Sequence, residues 1–173
     1  YVEGVLEVEV ICSQVCRGEV DLALIDTLGA TVLTHRQRIG TDLIDERGRY
    51  KDRARAKLKA PSVQAWSAET PNLYRLVVSL FDEHGEFVEC EASDIGFRSV
   101  EITDGQLLLN GKPLLIRGVN KHEPHPETGH TESLAQVEAD IRLMKQHNFN
   151  AIRCSHYPHQ PGFYDLCDRL GMY

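Results

Sequence analysis

The hydrophobic period of this chain changes near Gly96-Phe97-Arg98, and that change limits the possible fold more than any other feature. From Tyr1 to about Ser99 the period is two. Leu6, Val8 and Val10 alternate with Glu7 and Glu9. Val20, Leu22 and Leu24 make the next run, and Leu28-Gly29-Ala30 reads as a turn into Thr31-Val32-Leu33. Ala54, Ala56 and Leu58 alternate with Arg53, Arg55, Lys57 and Lys59, the pattern of a half-buried strand with a basic outer face. Leu76, Val78 and Leu80 form another strand, which turns at Asp82-Glu83-His84-Gly85 into Phe87-Val88. Short strands at this spacing predict an immunoglobulin-like antiparallel β-sandwich over residues 1–99. No Cys-Trp-Cys arrangement accompanies them, so the expectation concerns shape alone.

Beyond Ser99 the signals differ. Thr103-Asp104-Gly105 and Asn110-Gly111 flank Gln106-Leu107-Leu108-Leu109. Asp-Gly and Asn-Gly suit tight hairpins, because both central residues of a type I′ turn need positive φ. A hairpin therefore leads into a strand expected over Leu114–Asn120. Ser133 with Gln136 makes a capping box, and Leu134, Val137, Ile141 and Met144 form one helical stripe that Asn148 closes. Asn150-Ala151-Ile152-Arg153-Cys154 reads as a second buried strand. Pro161 opens a second helix that buries Phe163, Leu166, Cys167 and Leu170 before Gly171 stops it. Residues 100–173 are thus expected to run hairpin-β-α-β-α, an incomplete β/α unit, and the fold class is mainly β.

Composition narrows the function. A net charge of −7 in 173 residues, with no Lys/Arg cluster to offset it, argues against a nucleic-acid partner. No apolar run is long enough to span a bilayer, and no amino-terminal signal pattern is present, so no membrane role is expected. Five cysteines (Cys12, Cys16, Cys90, Cys154 and Cys167) lack disulfide-framework spacing and read as reduced thiols of a cytoplasmic protein. Cys12-x-x-x-Cys16 has no second ligand pair nearby, which disfavours a zinc site. The chain begins in strand-like sequence and stops where another strand would follow, so both ends look cut.

Six polar groups fall at or just beyond the two strand ends: His122, Glu123, His125, Arg153, His156 and His159. Carboxyl ends of parallel strands are where β/α proteins keep their chemistry. Three readings compete. His122-x-x-His125 and His156-x-x-His159 offer four imidazoles for a metal, although Pro124 and Pro126 exclude the helical two-histidine geometry. Cys154 with His156 as base offers a nucleophile, although Cys154 sits in a run expected to be buried. A polar-substrate site is favoured, with His122 and His156 bonding hydroxyls and Arg153 pairing with a carboxylate. Taken singly, His125, His130 and His159 read as solvent-facing loop histidines. Trp66, the only tryptophan, lies in the loop Trp66-Ser67-Ala68-Glu69-Thr70-Pro71-Asn72-Leu73-Tyr74 and is expected to plug one end of the sandwich, with sugar stacking as the sharper alternative.

That loop, together with Asp94-Ile95-Gly96-Phe97-Arg98, Leu109-Asn110-Gly111-Lys112-Pro113, Ile116-Arg117-Gly118-Val119-Asn120-Lys121-His122-Glu123 and Asn150-Ala151-Ile152-Arg153-Cys154-Ser155-His156-Tyr157-Pro158, resembles glycoside hydrolase family 2. The resemblance runs from about Ile44 onward and is most specific in the last eighty or so residues. It implies an immunoglobulin-like domain at 1–99 and the amino-terminal part of a (β/α)8, or TIM, barrel at 100–173. It also implies that the parent is a retaining hydrolase of terminal β-D-galactosides such as lactose.

Carried over by motif, His122 and His156 would contact hydroxyls of the sugar and Arg153 would orient the nucleophilic glutamate. Lys121 stands where related sequences often have arginine, a position expected to touch no substrate. Retaining glycosidases need two carboxylates about 5–5.5 Å apart. Both glutamates, nucleophile and acid/base, are expected beyond Tyr173, so the 173 residues alone should be inert. The resemblance further implies Mg2+ and Na+ or K+ in the parent enzyme, through ligands not matched here, and no metal bound by this stretch. Open edges of an incomplete barrel predict a homo-oligomer, or packing of the helices onto the sandwich. The alternatives are a non-catalytic carbohydrate-binding or assembly module, and a family member of other specificity, such as a glucuronidase or mannosidase. For Arg153 and His156 to serve one sugar, the strand must break at Ser155-His156.

Overall fold

A computed structural model describes residues 2–12, 17–40 and 53–173. They form two compact units, one from residues 1–64 and 73–97 and the other from residues 65–72 and 98–173. The position of Cys16 in the Cys12-x-x-x-Cys16 pair, and the start of the family resemblance near Ile44, fall outside the described residues.

The first unit is built as its alternation demands. β1 (Val2–Ile11) pairs antiparallel with β4 (Arg53–Val63). β2 (Gly18–Ile25) lies between β3 (Thr31–Arg38) and β5 (Tyr74–Asp82), and β6 (Phe87–Ile95) completes the second sheet in the order β3-β2-β5-β6. The inward residues of both sheets meet in one core of Leu6, Leu24, Ala60, Val63, Tyr74, Leu76 and Phe97. Outward residues of β1 and β4 are complementary. Glu3 meets Lys59 at 2.9 Å, Glu9 meets Arg53 at 2.6 Å, and Glu7 pairs with Lys57. Most of these groups are exposed and worth only about 0–1 kcal/mol each. Their use is to specify which residues face each other, since a slip by one would turn acids and bases into the core.

The Asp26–Ala30 and Asp82–Glu86 turns share one construction. Each aspartate carboxylate accepts backbone N–H groups two and four residues on, from Leu28 and Ala30 and from His84 and Glu86. The Glu86 N–H, followed by burial working the other way, leaves the Asp82 carboxyl below its ordinary range.

In the second unit β7 (Val100–Thr103), β8 (Gln106–Leu109) and β9 (Lys112–Pro113) form an antiparallel meander. Asp104-Gly105 and Asn110-Gly111 all have positive φ, as the turn chemistry requires. The strand expected over Leu114–Asn120 is shorter than the apolar run suggests: β10 covers Gly118–Lys121. Leu114 N–H still bonds Leu107 O, which keeps it with the meander. The next backbone groups go to a side chain. Asn150 Oδ1 accepts Arg117 N–H at 2.8 Å and Asn150 Nδ2 donates to Leu115 O at 2.9 Å. These bonds take the place of a ladder, and Leu115 and Ile116 are exposed.

Helix α1 (Leu134–Gln146) begins at the full Ser133/Gln136 capping box, and Asn148 just beyond it takes φ 62°. β11 (Ala151–Cys154) lies parallel to β10, and α2 (Pro161–Leu170) follows with Pro161 in its first turn. Val137 and Ile141 of α1 pack with Phe163, Leu166 and Cys167 of α2, and Ile152 and Cys154 of β11 join them. Leu134, the first residue of the predicted stripe, is largely exposed.

Trp66 is buried, but its partners lie within the second unit, not in the sandwich. Its indole N–H donates to Asp168 O at 2.8 Å, its ring meets Tyr173 edge to face, and Arg98 lies 5.1 Å from its centre. Lys145 Nζ then ties Ala68 O (2.6 Å) to Gly171 O (3.0 Å). Gly171, at φ 76°, terminates α2 so close to Ala68 O that a Cβ would stand 2.3 Å from it. With 2% of its surface exposed, Trp66 offers no free face to a sugar.

Candidate functional site

The parallel pairing of β10 and β11 sets Asn120 opposite Arg153 and Lys121 opposite Cys154. One further bond, Ser155 N–H to Lys121 O at 3.1 Å, extends this alignment past the strands. The next residues are His122 on one chain segment and His156 on the other. Their exposed rings meet edge to face with centroids 6.0 Å apart.

β11 stops at Cys154, and the Ser155–His156 peptide bond is cis. The irregular backbone expected there is present, the regular ladder ending at Cys154. Arg153 is exposed at the same strand end. Its Nη1 donates to Ser155 Oγ at 3.3 Å and to Asn120 Oδ1 at 3.4 Å, long bonds that leave most of the guanidinium donors unused. Cys154 instead packs against the helix cluster. Burial, with smaller contributions from Cys154 and Asp168, pushes the neighbouring Cys167 thiol up to about 12.

The remaining polar groups divide. Tyr157 OH accepts Glu123 N–H at 3.1 Å, and its ring lies 6.1 Å from His122. His125 faces its own turn, where Nδ1 accepts Glu127 and Thr128 N–H groups at 3.3 Å. His159 is not a solvent-facing loop histidine. Its ring is buried between Tyr157, stacked at 5.6 Å, and Phe163 at 4.5 Å. His125 Nδ1 is thus engaged by its own turn, and no three His, Cys, Asp or Glu are grouped for an ion among the described residues.

Lys121, expected to touch no substrate, is tied into the fold beside the site. It is buried, with Nζ 2.9 Å from both Glu132 Oε1 and Asp140 Oδ2. Burial opposes the cation, but the bonds to Glu132 and Asp140 outweigh it and hold its pKa above the ordinary lysine value. Nothing local marks this triad in sequence, because its members are 11 and 19 residues apart. Tyr157 and Asn120 were also missed as site residues. Both stand inside the stretches that carry the family resemblance, next to His156 and Lys121.

A sandwich joined to parallel β/α structure, with imidazoles and a guanidinium at the strand carboxyl ends, is the arrangement of a β/α-barrel enzyme with an accessory β domain. Comparison with known proteins makes the class specific. Residues 4–98 match glycosyl hydrolases family 2, and residues 100–173 match the TIM barrel domain of the same family. The chain belongs to glycosyl hydrolases family 2.

A beta-galactosidase of Aeromonas hydrophila is 57% identical over 145 residues, covering 84% of this chain and 14% of that protein. One from Photobacterium profundum is 49% identical over 173 residues, covering all of this chain and 17% of that protein. Among solved structures, the beta-glucuronidase of Bifidobacterium dentium complexed with coumarin-3-O-glucuronide is 27% identical with a TM-score of 0.87, covering 98% of this chain and 26% of that one. The chain therefore spans 14–17% of the length of these curated relatives. Among the described residues, no helix is long and apolar enough to cross a membrane.

Proposed function

We propose that this chain supplies one wall of the sugar site of a retaining β-galactosidase. The observation that carries this reading is the convergence of His122 and His156, 6.0 Å apart, at the ends of two paired parallel strands. The identity of 49–58% to proteins named beta-galactosidase favours a galactoside over the glucuronide in the structural neighbour's title. In this reading the two imidazoles bond hydroxyls of the galactosyl unit. Arg153, with donors to spare, orients the nucleophilic carboxylate.

The nucleophile and the acid/base are glutamates contributed from outside these residues, since a retaining mechanism needs two carboxylates about 5–5.5 Å apart across the scissile bond. The magnesium and the sodium or potassium are likewise held by residues outside this stretch. The enzyme works in the cytoplasm as a homo-oligomer, a reading supported by the free thiols of Cys90, Cys154 and Cys167 and by the exposed Leu115 and Ile116.

The test compares nitrophenyl β-galactoside and nitrophenyl β-glucuronide. The 173-residue chain alone should release no nitrophenol. The whole enzyme carrying it should prefer the galactoside and lose at least ~100-fold in kcat/KM on His156→Ala or His122→Ala. A preference for the glucuronide, or turnover by the isolated chain, overturns the reading.

A further inference from the structure

We infer that Glu123 and His159 form a positioning pair that sets the separation of His122 and His156, an inference that rests on the galactoside reading above. Glu123 directly follows His122, and His159 lies three residues beyond His156, so the two side chains belong to the two loops that carry the paired histidines. His159 Nδ1 lies 3.4 Å from Glu123 Oε1, with the imidazole side chain wholly buried and the carboxylate 19% exposed.

The environment of His159 leaves few other partners. Tyr157 stacks on the ring at 5.6 Å and Phe163 lies tilted at 4.5 Å, and neither ring nitrogen has a well-formed hydrogen bond. A buried imidazole in that condition calls for an explanation. Glu123 is the acceptor within reach, and a small rotation of the carboxylate would align it. The Gln160 N–H, 3.5 Å from the same Oε1, faces that oxygen too.

Tyr157 completes the connection. Its hydroxyl accepts the Glu123 N–H while its ring stacks on His159 and adjoins His122. Closing the Nδ1–H to Oε1 bond therefore fastens the loop of residues 155–160 to the loop of residues 122–123. Glu123 is the carboxylate beside the sugar-facing histidines, yet its partner is behind them. It positions, and does not attack.

Two measurements test the pair. In the histidine 15N spectrum of the 173-residue chain, His159 should carry its proton on Nδ1, and Glu123→Gln should shift that nitrogen. An Nε2–H tautomer indifferent to Glu123→Gln overturns the inference. In the whole enzyme, His159→Phe keeps the stacked ring and removes the donor, and should lower kcat/KM for nitrophenyl β-galactoside ~10-fold with the melting temperature unchanged. His159→Asn, whose amide nitrogen can occupy the place of Nδ1, should restore most of the loss. Adding Glu123→Gln to His159→Phe should cost nothing further. Full activity of His159→Phe, additive losses, or losses that follow a lowered melting temperature in both variants overturn it. If the whole enzyme hydrolyses no β-galactoside, the galactoside reading fails, and the spectrum still decides the pair.

Discussion

Lys121 Nζ lies 2.9 Å from Glu132 Oε1, and each side chain keeps less than a tenth of its surface exposed. With Asp140 as second partner, the cation joins the end of β10 to the middle of α1. Removing one member of such a cluster leaves buried charge without compensation. Lys121→Met should therefore destabilise the second unit by about 3 kcal/mol, read from urea unfolding followed by fluorescence. Lys121→Arg should fold normally, because Glu132 Oε2 is buried without a partner and a planar fork can engage both oxygens.

The same triad has an alkaline signature. The folded pKa of Lys121 is raised above its unfolded value of 10.5. Its contribution is accordingly complete below pH 10.5 and is lost as pH rises through the higher folded value. The difference in melting temperature between wild type and Lys121→Met should hold steady to ~pH 10 and shrink above it. A difference that widens with pH would contradict the assignment.

Trp66 is a buried ring with a bonded indole, so truncation and bond loss separate cleanly. Trp66→Ala should cost about 3–5 kcal/mol by leaving a cavity. Trp66→Phe keeps most of the volume but strands the Asp168 carbonyl, for a loss of about 1–2 kcal/mol. Neither change should alter galactose binding beyond what unfolding explains, as ligand titration below the melting temperature would show.

The thiols should differ in reactivity. Cys90 is exposed on β6, whereas Cys167 is buried with its pKa pushed up to about 12. Iodoacetamide at neutral pH should modify Cys90 within minutes and leave Cys167 untouched until the chain unfolds. Peptide mapping by mass spectrometry distinguishes the two.

Features set by neighbours along the chain could be read from sequence. The alternation of Leu6, Val8 and Val10, the Ser133/Gln136 box, the Asp104-Gly105 turn and the Gly171 stop all appear where local rules place them. Features set by a distant partner could not. Leu115 and Arg117 leave the ladder because Asn150, 35 and 33 residues on, captures their backbone groups. Trp66 belongs with the helix end 102 residues away. His159 looked like one more loop histidine until Tyr157 and Phe163 closed over it. The pairing of His122 with His156 was legible because two strand ends announced themselves, one by Lys121-His122 and the other by Arg153 through Pro158.

The loop of residues 65–72 has a practical consequence for anyone dividing this protein. Because it is counted with the second unit while the strands on either side of it belong to the first, the polypeptide passes between the units after Gln64, after Asn72 and after Phe97. No single cleavage releases either unit whole. An expression boundary drawn at Arg98 would yield a β/α piece with the Asp168 carbonyl, the Tyr173 hydroxyl and the Lys145 ammonium all deprived of the loop groups they bond. The same boundary would leave the sandwich carrying a loop whose Trp66 and Ala68 have lost their partners at Asn110, Lys145, Asp168 and Tyr173. The two units are interleaved in the gene as well as joined in the protein, so they are expected to be inherited, truncated and engineered together.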